Sequence, residues 1–546
     1  MADNKNTDLF KYLERRRSAL ELERSSFDSH WKALAENIQP RRGRWFVSDT
    51  NKGARRHQYI INSAGTQALR AASAGLFAGV MSPTRPWFNL AIQDQELSQY
   101  QPVSVWLRDV EKIIYGVFNQ SNLYNMAPVM LSELLLFATG CMVHDSHPAT
   151  VARFYTQTVG SYYLGQNEML EIDTYLRQMQ MRVGGIVGQF GLDNVPTTVK
   201  DLYNRGSYDK EFKVLHMIEP RKERSEDNPF NDNMPFRSVY WMQEDNEKRI
   251  LKESGFEQFP VYAPRWGTTG EDIYGTDCPG MVVLGDVRQL QTQEKRKQQA
   301  IDKLVNPPLK GPPSLRNTEV NALPGGVTAY ENNQQAGDGL SPLFTVQPQI
   351  REMVLDIDKT ERRIQEGFFV DLFQAITRAE GSQYKNEEEI ISRNEEKLLQ
   401  LGPVLEQLHG EFLDKLIDRT FNQLLENELL PPPPEELQGS ELKVNYISSL
   451  AQAQRAVAVG SIERLMGFVS SMAQVKPEAL DKFDFDQAID EYGQAILSPP
   501  KLIKTDDAVE QAREQRQQFA IQQQQAQQEA QEVEALSALQ KSGGPN

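Results

Sequence analysis

Cys141, His144, Asp145 and His147 set a thiol, two imidazoles and a carboxylate in one short stretch. Thiolate, imidazole and carboxylate all coordinate zinc, and a closed structural site takes four ligands. Here the acid would have to serve as one of them, and no second Cys or His group lies nearby in sequence. The stretch therefore reads as a polar loop, and no metal is assigned. Glycines repeat in Gly185-Ile186-Val187-Gly188-Gln189-Phe190-Gly191, but the order G-x-G-x-x-G is missing and no convincing strand precedes it, so no nucleotide or other cofactor is assigned. Neither G-x-x-x-x-G-K-[ST] nor G-x-S-x-G occurs. Acidic runs such as Glu387-Glu388-Glu389 read as solvated helix starts. No constellation is catalytic, so the chain is read as a non-enzyme, and an ATPase or nuclease is disfavoured.

The second chemistry on offer is cationic. Arg15-Arg16-Arg17, Arg41-Arg42-Gly43-Arg44 and Arg55-Arg56-His57 cluster near the N-terminus, without the interleaved aromatics of a single-strand binding groove, and read as solvated faces or subunit contacts. A more ordered set lies on residues 283–305, which read as one uninterrupted helix closed by Asn306-Pro307-Pro308. Val283, Val287, Leu290, Ile301 and Leu304 share one face, interrupted by Glu294 and Lys297. Arg288, Thr292, Lys295, Gln299 and Lys303 share another.

The whole chain bounds these readings. Its 546 residues carry a net charge of -16, which argues against a surface that grips nucleic acid throughout, because phosphate binding relies on clustered Lys and Arg. Two distant cysteines, Cys141 and Cys278, are too few for a disulfide framework and fit a reducing compartment. The polar, acidic start shows no secretory signal. The longest apolar run, Ala71 to Met81, falls far short of the ~20 residues of a spanning helix, so no membrane is expected.

The elements that must position these residues are mostly helical. Apolar spacing predicts an amphipathic helix or helix pair over 9–38, then helices at 62–81, 102–119 and 125–138. Val, Thr, Tyr and Phe in short runs between Cys141 and Ile172 predict a small sheet. Helical texture is expected from Asp173 to about Tyr203, and a separate β-rich subdomain between Tyr208 and Tyr274. Gly325-Gly326, Asn332-Asn333-Gln334-Gln335 and Gly337-Asp338-Gly339 make 317–348 a long loop, and loops of that length inside a fold are commonly functional. A long helix over 351–376 follows, with Gly367 as a bend. More helix is expected over 386–430, split at Gly402-Pro403, then a stiff Pro431–Pro434 spacer, then helix over 448–473. The Gln-, Ala- and Glu-rich tail from Ala508 to Lys541 can bury little alone, and is either disordered or part of a multi-chain helical tube.

Several segments, in this order, resemble the head-to-tail connecting (portal) proteins of short-tailed, podovirus-type bacteriophages. The strongest runs from Ser73-Ala74-Gly75-Leu76-Phe77 through Ser82-Pro83 to Arg85-Pro86-Trp87-Phe88. Others are Val214-Leu215-His216 through Pro220-Arg221, Tyr274-Gly275 to Pro279-Gly280, Thr377-Arg378-Ala379-Glu380 ahead of Leu401-Gly402-Pro403, Tyr446-Ile447-Ser448-Ser449 to Arg455, and the Gln-rich tail.

The resemblance implies an α+β, predominantly α-helical portal fold with wing, stem, β-rich clip and helical crown, assembled as a dodecameric ring around a channel. On this chain it implies wing at 1–172 and 307–430, stem at 173–206 and 283–306, clip at 207–282, crown at 431–507 and a barrel or disordered tail at 508–546. It implies a virion protein at one capsid vertex, assembled in the host cytoplasm, through which double-stranded DNA passes without sequence preference. Implied partners are further copies of the chain, the terminase large subunit, the major capsid protein and scaffold, and tail adaptor or nozzle proteins. Within the channel, Arg288, Lys295 and Lys303 are expected to contact DNA, and Tyr330, Asn332, Asn333, Gln334 and Gln335 to belong to a tunnel loop acting as a valve. A non-enzymatic assembly scaffold is the main alternative, and a DNA-processing enzyme the lesser one.

Overall fold

The computed structural model describes residues 2–46, 56–92, 101–222, 224, 233–243, 245–310, 341–342, 349–378, 400–434, 437, 442–448 and 450, with scattered positions from 465 to 518. Two compact units divide the chain, Met1–Ser449 and Leu450–Asn546. In the second, the longest described stretch is a helical run at 465–472.

Helix α1 (Ala2–Ile38) fulfils the amphipathic reading as one continuous helix, with Phe10, Leu13, Leu20, Trp31, Leu34 and Ile38 buried. It lies on a five-stranded antiparallel sheet of β4 (Tyr162–Gln166), β5 (Ile172–Arg182), β6 (Glu211–Pro220), β7 (Phe236–Met242) and β8 (Ile250–Phe256), in sequential order. The pairings Tyr163↔Leu176, Leu176↔Met217 and Met217↔Val239 build an apolar row on one face. Leu215 and Trp241 extend it, and this is the face that Phe10, Leu13 and Leu20 cover. Along a strand successive side chains alternate, so Val214 and Met242 point the other way. There α5 (Val183–Phe190) and α6 (Thr197–Asn204) cover them through Val183, Ile186, Val187, Phe190 and Val199.

This arrangement corrects two expectations. Residues 172–182 form a strand, and helix begins only at Val183. Gln178, Met179, Gln180 and Met181 are good helix formers, but in place they bond to Lys213, Val214 and their neighbours, and pairing across a sheet overrides a propensity of tenths of a kcal/mol. The β-rich region is consequently no separate subdomain starting near 208. It is one sheet that opens at Tyr162 and shares its core with α1.

The sheet expected between Cys141 and Ile172 is present in two parts. β4 joins the large sheet, while β2 (Met142–His147) and β3 (Val151–Thr156) form a three-stranded sheet with β9 (Val261–Tyr262). Asn122 brackets Phe154 of β3, donating to its carbonyl at 2.7 Å and accepting its N–H at 2.9 Å.

α2 (Ala64–Val80), α3 (Gln101–Gln120) and α4 (Leu123–Phe137) complete the helical body. A Cβ on Gly75 of α2 would overlap Phe373, so the glycine lets α9 (Val370–Arg378) approach to backbone distance. After α2, Trp87 and Phe88 are buried, and the Tyr115 hydroxyl accepts both of their N–H groups at 2.8 and 2.9 Å. Strand β1 (Phe88–Ile92) then pairs with β12 (Leu442–Tyr446), in register Phe88↔Tyr446, and Ile447 N–H donates to Trp87 O at 3.0 Å. Two of the segments that carry the family resemblance are thus bonded to each other.

Candidate nucleic-acid interface

The helix expected over 283–305 is α7 (Pro279–Val305). Pro279 opens it, where a missing N–H costs nothing. Tyr274, just upstream, is wedged against Phe27 and Trp31 of α1 with ring centroids 5.2 Å away in both cases, and its hydroxyl accepts Leu164 N–H of β4. Val283, Val287 and Leu290 are buried. At 3.6 residues per turn they define one side of the helix, and Arg288, Lys295 and Lys303 fall roughly opposite. All three are exposed, as are Thr292 and Gln299. They space over roughly 22 Å of axis, from a rise of about 1.5 Å per residue. Among the described residues no ion pair engages any of the three, whereas Lys297, off this face, pairs with Glu294 at 2.6 Å.

One part of the apolar reading fails. Ile301 and Leu304 continue the buried stripe in sequence but are 38% and 45% exposed, and Val305 is 80% exposed. The core that covers Val283 to Leu290 does not extend along the helix as far as its C-terminal turns.

A network of polar contacts fixes the direction of α7. The Gln291 amide oxygen accepts Ile61 N–H at 2.7 Å and Asn62 N–H at 2.9 Å, and its nitrogen donates to Asn62 O at 2.8 Å. Asn62 also donates to Glu361 on α8 (Ile350–Gly367) at 2.6 Å, and its side-chain oxygen accepts Ala64 N–H at the start of α2. Arg363 of α8 pairs with Asp286 at 3.0 Å, and Gln293 donates to Asp356 at 2.5 Å. α7 and α8 therefore run antiparallel, and Gly367 sits where any Cβ would strike Val283. None of these positioning residues stood out in the sequence, because Gln291 and Asn62 are 229 positions apart and neither type signals a role alone.

Arg288 is the cation nearest the body. His30 of α1 is held below its ordinary range, first by burial and then by the Arg288 charge. Lys295 and Lys303 extend away from that contact.

The expected tunnel-loop residues Tyr330, Asn332, Asn333, Gln334 and Gln335 lie outside the described residues. The ends of their segment are described. Leu309↔Pro342 and Lys310↔Ser341 pair antiparallel, so the chain leaves and returns at one point, just past the C-terminus of α7. The single helix expected over 351–376 is two, since α8 stops at Gly367 and Phe369 takes φ +56 before α9 starts. Phe368 and Leu372 are fully buried around that break, which gives the left-handed residue its compensation.

Other candidates resolve differently. Cys141 precedes strand β2, which carries His144, Asp145 and His147, so the polar-loop reading is replaced by a strand. Alternation along it separates buried His144 from exposed Asp145. The His144 Nδ1 shares a hydrogen bond with Tyr262 Oη at 2.6 Å, and His147 Nδ1 accepts from the Thr150 turn. The glycine-rich stretch does follow a strand, β5, but the first two N–H groups of α5 donate to Lys210 O and Tyr208 O and are unavailable to a phosphate. Arg42, read as a surface residue, pairs with the fully buried Glu133, and Arg17 bridges Glu14 and Glu21 along α1. Of the third basic cluster, Arg55 lies outside the described residues. Around Gly402-Pro403 the described chain is helical from residue 400, with Pro403 in the first described turn. Among the described residues no group of three or more His, Cys, Asp or Glu could hold a metal ion, and no helix is long and apolar enough to cross a membrane.

Comparison with known proteins agrees with the order of segments in the sequence. The chain is 42% identical over 516 residues to the "Portal protein" of Salmonella phage epsilon15, covering 94% of this chain and 92% of that protein. It is 40% identical over 520 residues to the "Probable portal protein" of Bordetella phage BPP-1, covering 95% and 93%. A chain in the structure titled "Virion of native gene transfer agent (GTA) particle" aligns with 79% of this chain and 95% of its own, at 10% identity and TM-score 0.34. The sequence pattern of the family described as "Bacteriophage head to tail connecting protein" matches residues 11–503, and with that match and the two relatives the chain belongs to the bacteriophage head-to-tail connecting protein family.

Proposed function

We propose that this protein is a portal subunit, which assembles into a ring at one capsid vertex and forms the channel through which genomic DNA enters and leaves the head. Family membership carries the ring and the vertex. The observation that carries the channel reading is α7, whose packed side is turned to the body and whose opposite side carries Arg288, Lys295 and Lys303 with no acidic partner among the described residues. A protein of net charge -16 with a narrow cationic stripe suits DNA that must slide, because cations in greater number would release more counterions and bind too tightly.

In this reading α7 is a stem helix. The five-stranded sheet with α5 and α6 supplies the clip, opening at 162 rather than 207. α8, α9 and the helical body, with β12, belong to the wing, and the residues beyond 431 other than β12 to the crown. The finer elements of the proposal are a ring of twelve, assembly in the host cytoplasm, incorporation into the virion beside the major capsid protein and scaffold, docking of the terminase large subunit during packaging, and later docking of tail adaptor or nozzle proteins. The loop holding Tyr330, Asn332, Asn333, Gln334 and Gln335 is proposed as a valve, since its two ends meet at the far end of α7.

Negative-stain images of the purified protein test the assembly. Rings with a central hole and a native mass of twelve subunits are expected, whereas solid or filamentous particles would support a scaffold instead. Replacing Arg288, Lys295 and Lys303 together by Gln tests the stripe. Rings should persist while packaging or retention of DNA declines, and unchanged packaging and retention would remove the stripe from the channel. Deleting 331–339 should cause loss of packaged DNA, and full retention would remove the valve.

A further inference from the structure

Across the middle of the five-stranded sheet, four buried polar atoms reach no protein partner. They are Tyr162 Oη on β4, Tyr175 Oη and Arg177 Nε on β5, and His216 Nδ1 on β6. The register explains why they gather. Tyr162 pairs with Arg177 and Arg177 with His216, while Tyr175 is two residues from Arg177 and therefore on the same face. The Tyr162 and Tyr175 rings stack at 6.5 Å with planes 27° apart, and both side chains are 1% exposed or less. His216 stacks on Tyr240 at 3.8 Å and shares its other ring nitrogen with Ser238 Oγ at 2.9 Å.

An unpaired buried hydroxyl is costly, and two of them on adjoining strands are seldom left so. Burial first, and the neighbouring Cys141 second, push both hydroxyls well above their ordinary range, and burial likewise keeps the Cys141 thiol protonated. The charge on Glu133 is already matched by Arg42 and by the N–H of Val159. The two tyrosine hydroxyls are neutral and can both donate and accept, while Arg177 Nε can only donate, so the hydroxyl pair suits a small dipolar ligand better than a cation. We propose that Tyr162 and Tyr175 form a binding site for ordered water inside the fold, with Arg177 and His216 extending it along the sheet. A buried water typically takes about three hydrogen bonds from otherwise unpaired groups, and the row supplies donors and acceptors for it. The site is independent of the channel reading, since it rests on the sheet alone.

The test is the sign of two conservative substitutions, measured on the full-length assembled protein by urea unfolding at one fixed protomer concentration. If water joins the two hydroxyls, Tyr162→Phe and Tyr175→Phe each raise the unfolding constant, by about five- to tenfold for the net worth of one hydrogen bond. The double variant then falls short of the product of the two, because both substitutions remove the same water. If the hydroxyls are simply unpaired, each Phe variant unfolds less readily than the parent, and the proposal is overturned. Two effects that multiply independently would also overturn the shared site. Should the variants fail to assemble, a cryo-EM map of the parent ring decides. A solvent peak within hydrogen-bond distance of both hydroxyls supports the site, and a clean map without one sinks it.

Discussion

Glu133 and Arg42 show how little a residue's type says about its place. Arg42 sits in a run of arginines that reads as surface, yet it neutralises a carboxylate with no exposed side-chain area, 91 positions away. Burial raises the Glu133 carboxyl above its usual range, and the Arg42 guanidinium draws it back, helped by hydrogen bonds from Val159 N–H and Thr158, so Arg42 is the main support of the ionised form. Arg42→Ala, which leaves the Glu133 carboxylate buried without its cation, should therefore destabilise by about 3–5 kcal/mol in denaturant titrations, whereas replacing both residues by Met should cost much less, because no buried charge is left alone. The buried histidines give a pH signature. Burial, then Arg177 and Lys252, hold His216 well below its ordinary range, and burial and Arg419 do the same to His144. The unfolded chain takes up protons at these histidines near pH 6.5 and the folded chain does not, so their contribution to stability is complete above that pH and declines as pH falls beneath it. The slope approaches about 1.4 kcal/mol per pH unit only once the unfolded histidine is fully protonated, so between pH 6.5 and 5.5 each contributes about 1 kcal/mol. His216→Gln should flatten the fall between pH 6.5 and 5.5 by about that amount relative to the parent, and an unchanged slope would show that His216 titrates normally.

At the scale of elements, helix was legible wherever one apolar face sufficed. α1, α2 and α7 were read from spacing because Leu13, Leu20, Trp31, Val283, Val287 and Leu290 each repeat on a single side. Residues 172–182 misled because Thr174, Tyr175 and Leu176 are buried in a row without alternation, while the half-buried to exposed stretch from Gln178 to Met181 has good helix propensity and is held as strand only by pairing with β6. The end of α8 was half-legible. Gly367 marked a bend, but the reason is its contact with Val283 on α7, which no local pattern reveals. That contact is testable. Gly367→Ala should destabilise by about 1–3 kcal/mol through overpacking. Adding Val283→Ala should recover part of the loss, and a double-mutant cycle with no coupling would mean that the two helices do not meet there. That Arg288, Lys295 and Lys303 share one face was legible from helical spacing, while their proposed contact with DNA came from the family resemblance. The residues that aim them, Asn62, Gln291 and Arg363, were not legible, because each acts through a partner distant in sequence.

At the scale of the molecule, the division at Ser449 falls just after β12, the strand that closes the helical body. Two-stranded sheets are marginal in water, so the β1–β12 pair must be held by side chains. Tyr446 stacks on His409 at 4.0 Å and donates its hydroxyl to Asp414, while its strand partner Phe88 stacks on Tyr115 at 4.6 Å. These contacts join the start of the body to its end, and they explain why Trp87-Phe88 and Tyr446-Ile447 both stood out although nothing in the sequence links them. A chain ending at 449 keeps every one of them and should melt within a few degrees of the body transition of the full chain. A chain ending at 440 uncovers Phe88 and strands the Asp414 carboxylate, and its transition should fall by several degrees, since 1 kcal/mol amounts to less than about 4 °C in a domain of this size. Tyr446→Phe in the 449-residue chain separates the two contributions. If the ring stack dominates, this variant stays near its parent. If the hydroxyl to Asp414 dominates, it moves towards the 440-residue chain. Equal melting of the 449- and 440-residue chains would mean that β12 belongs to the C-terminal unit and the body is complete without it.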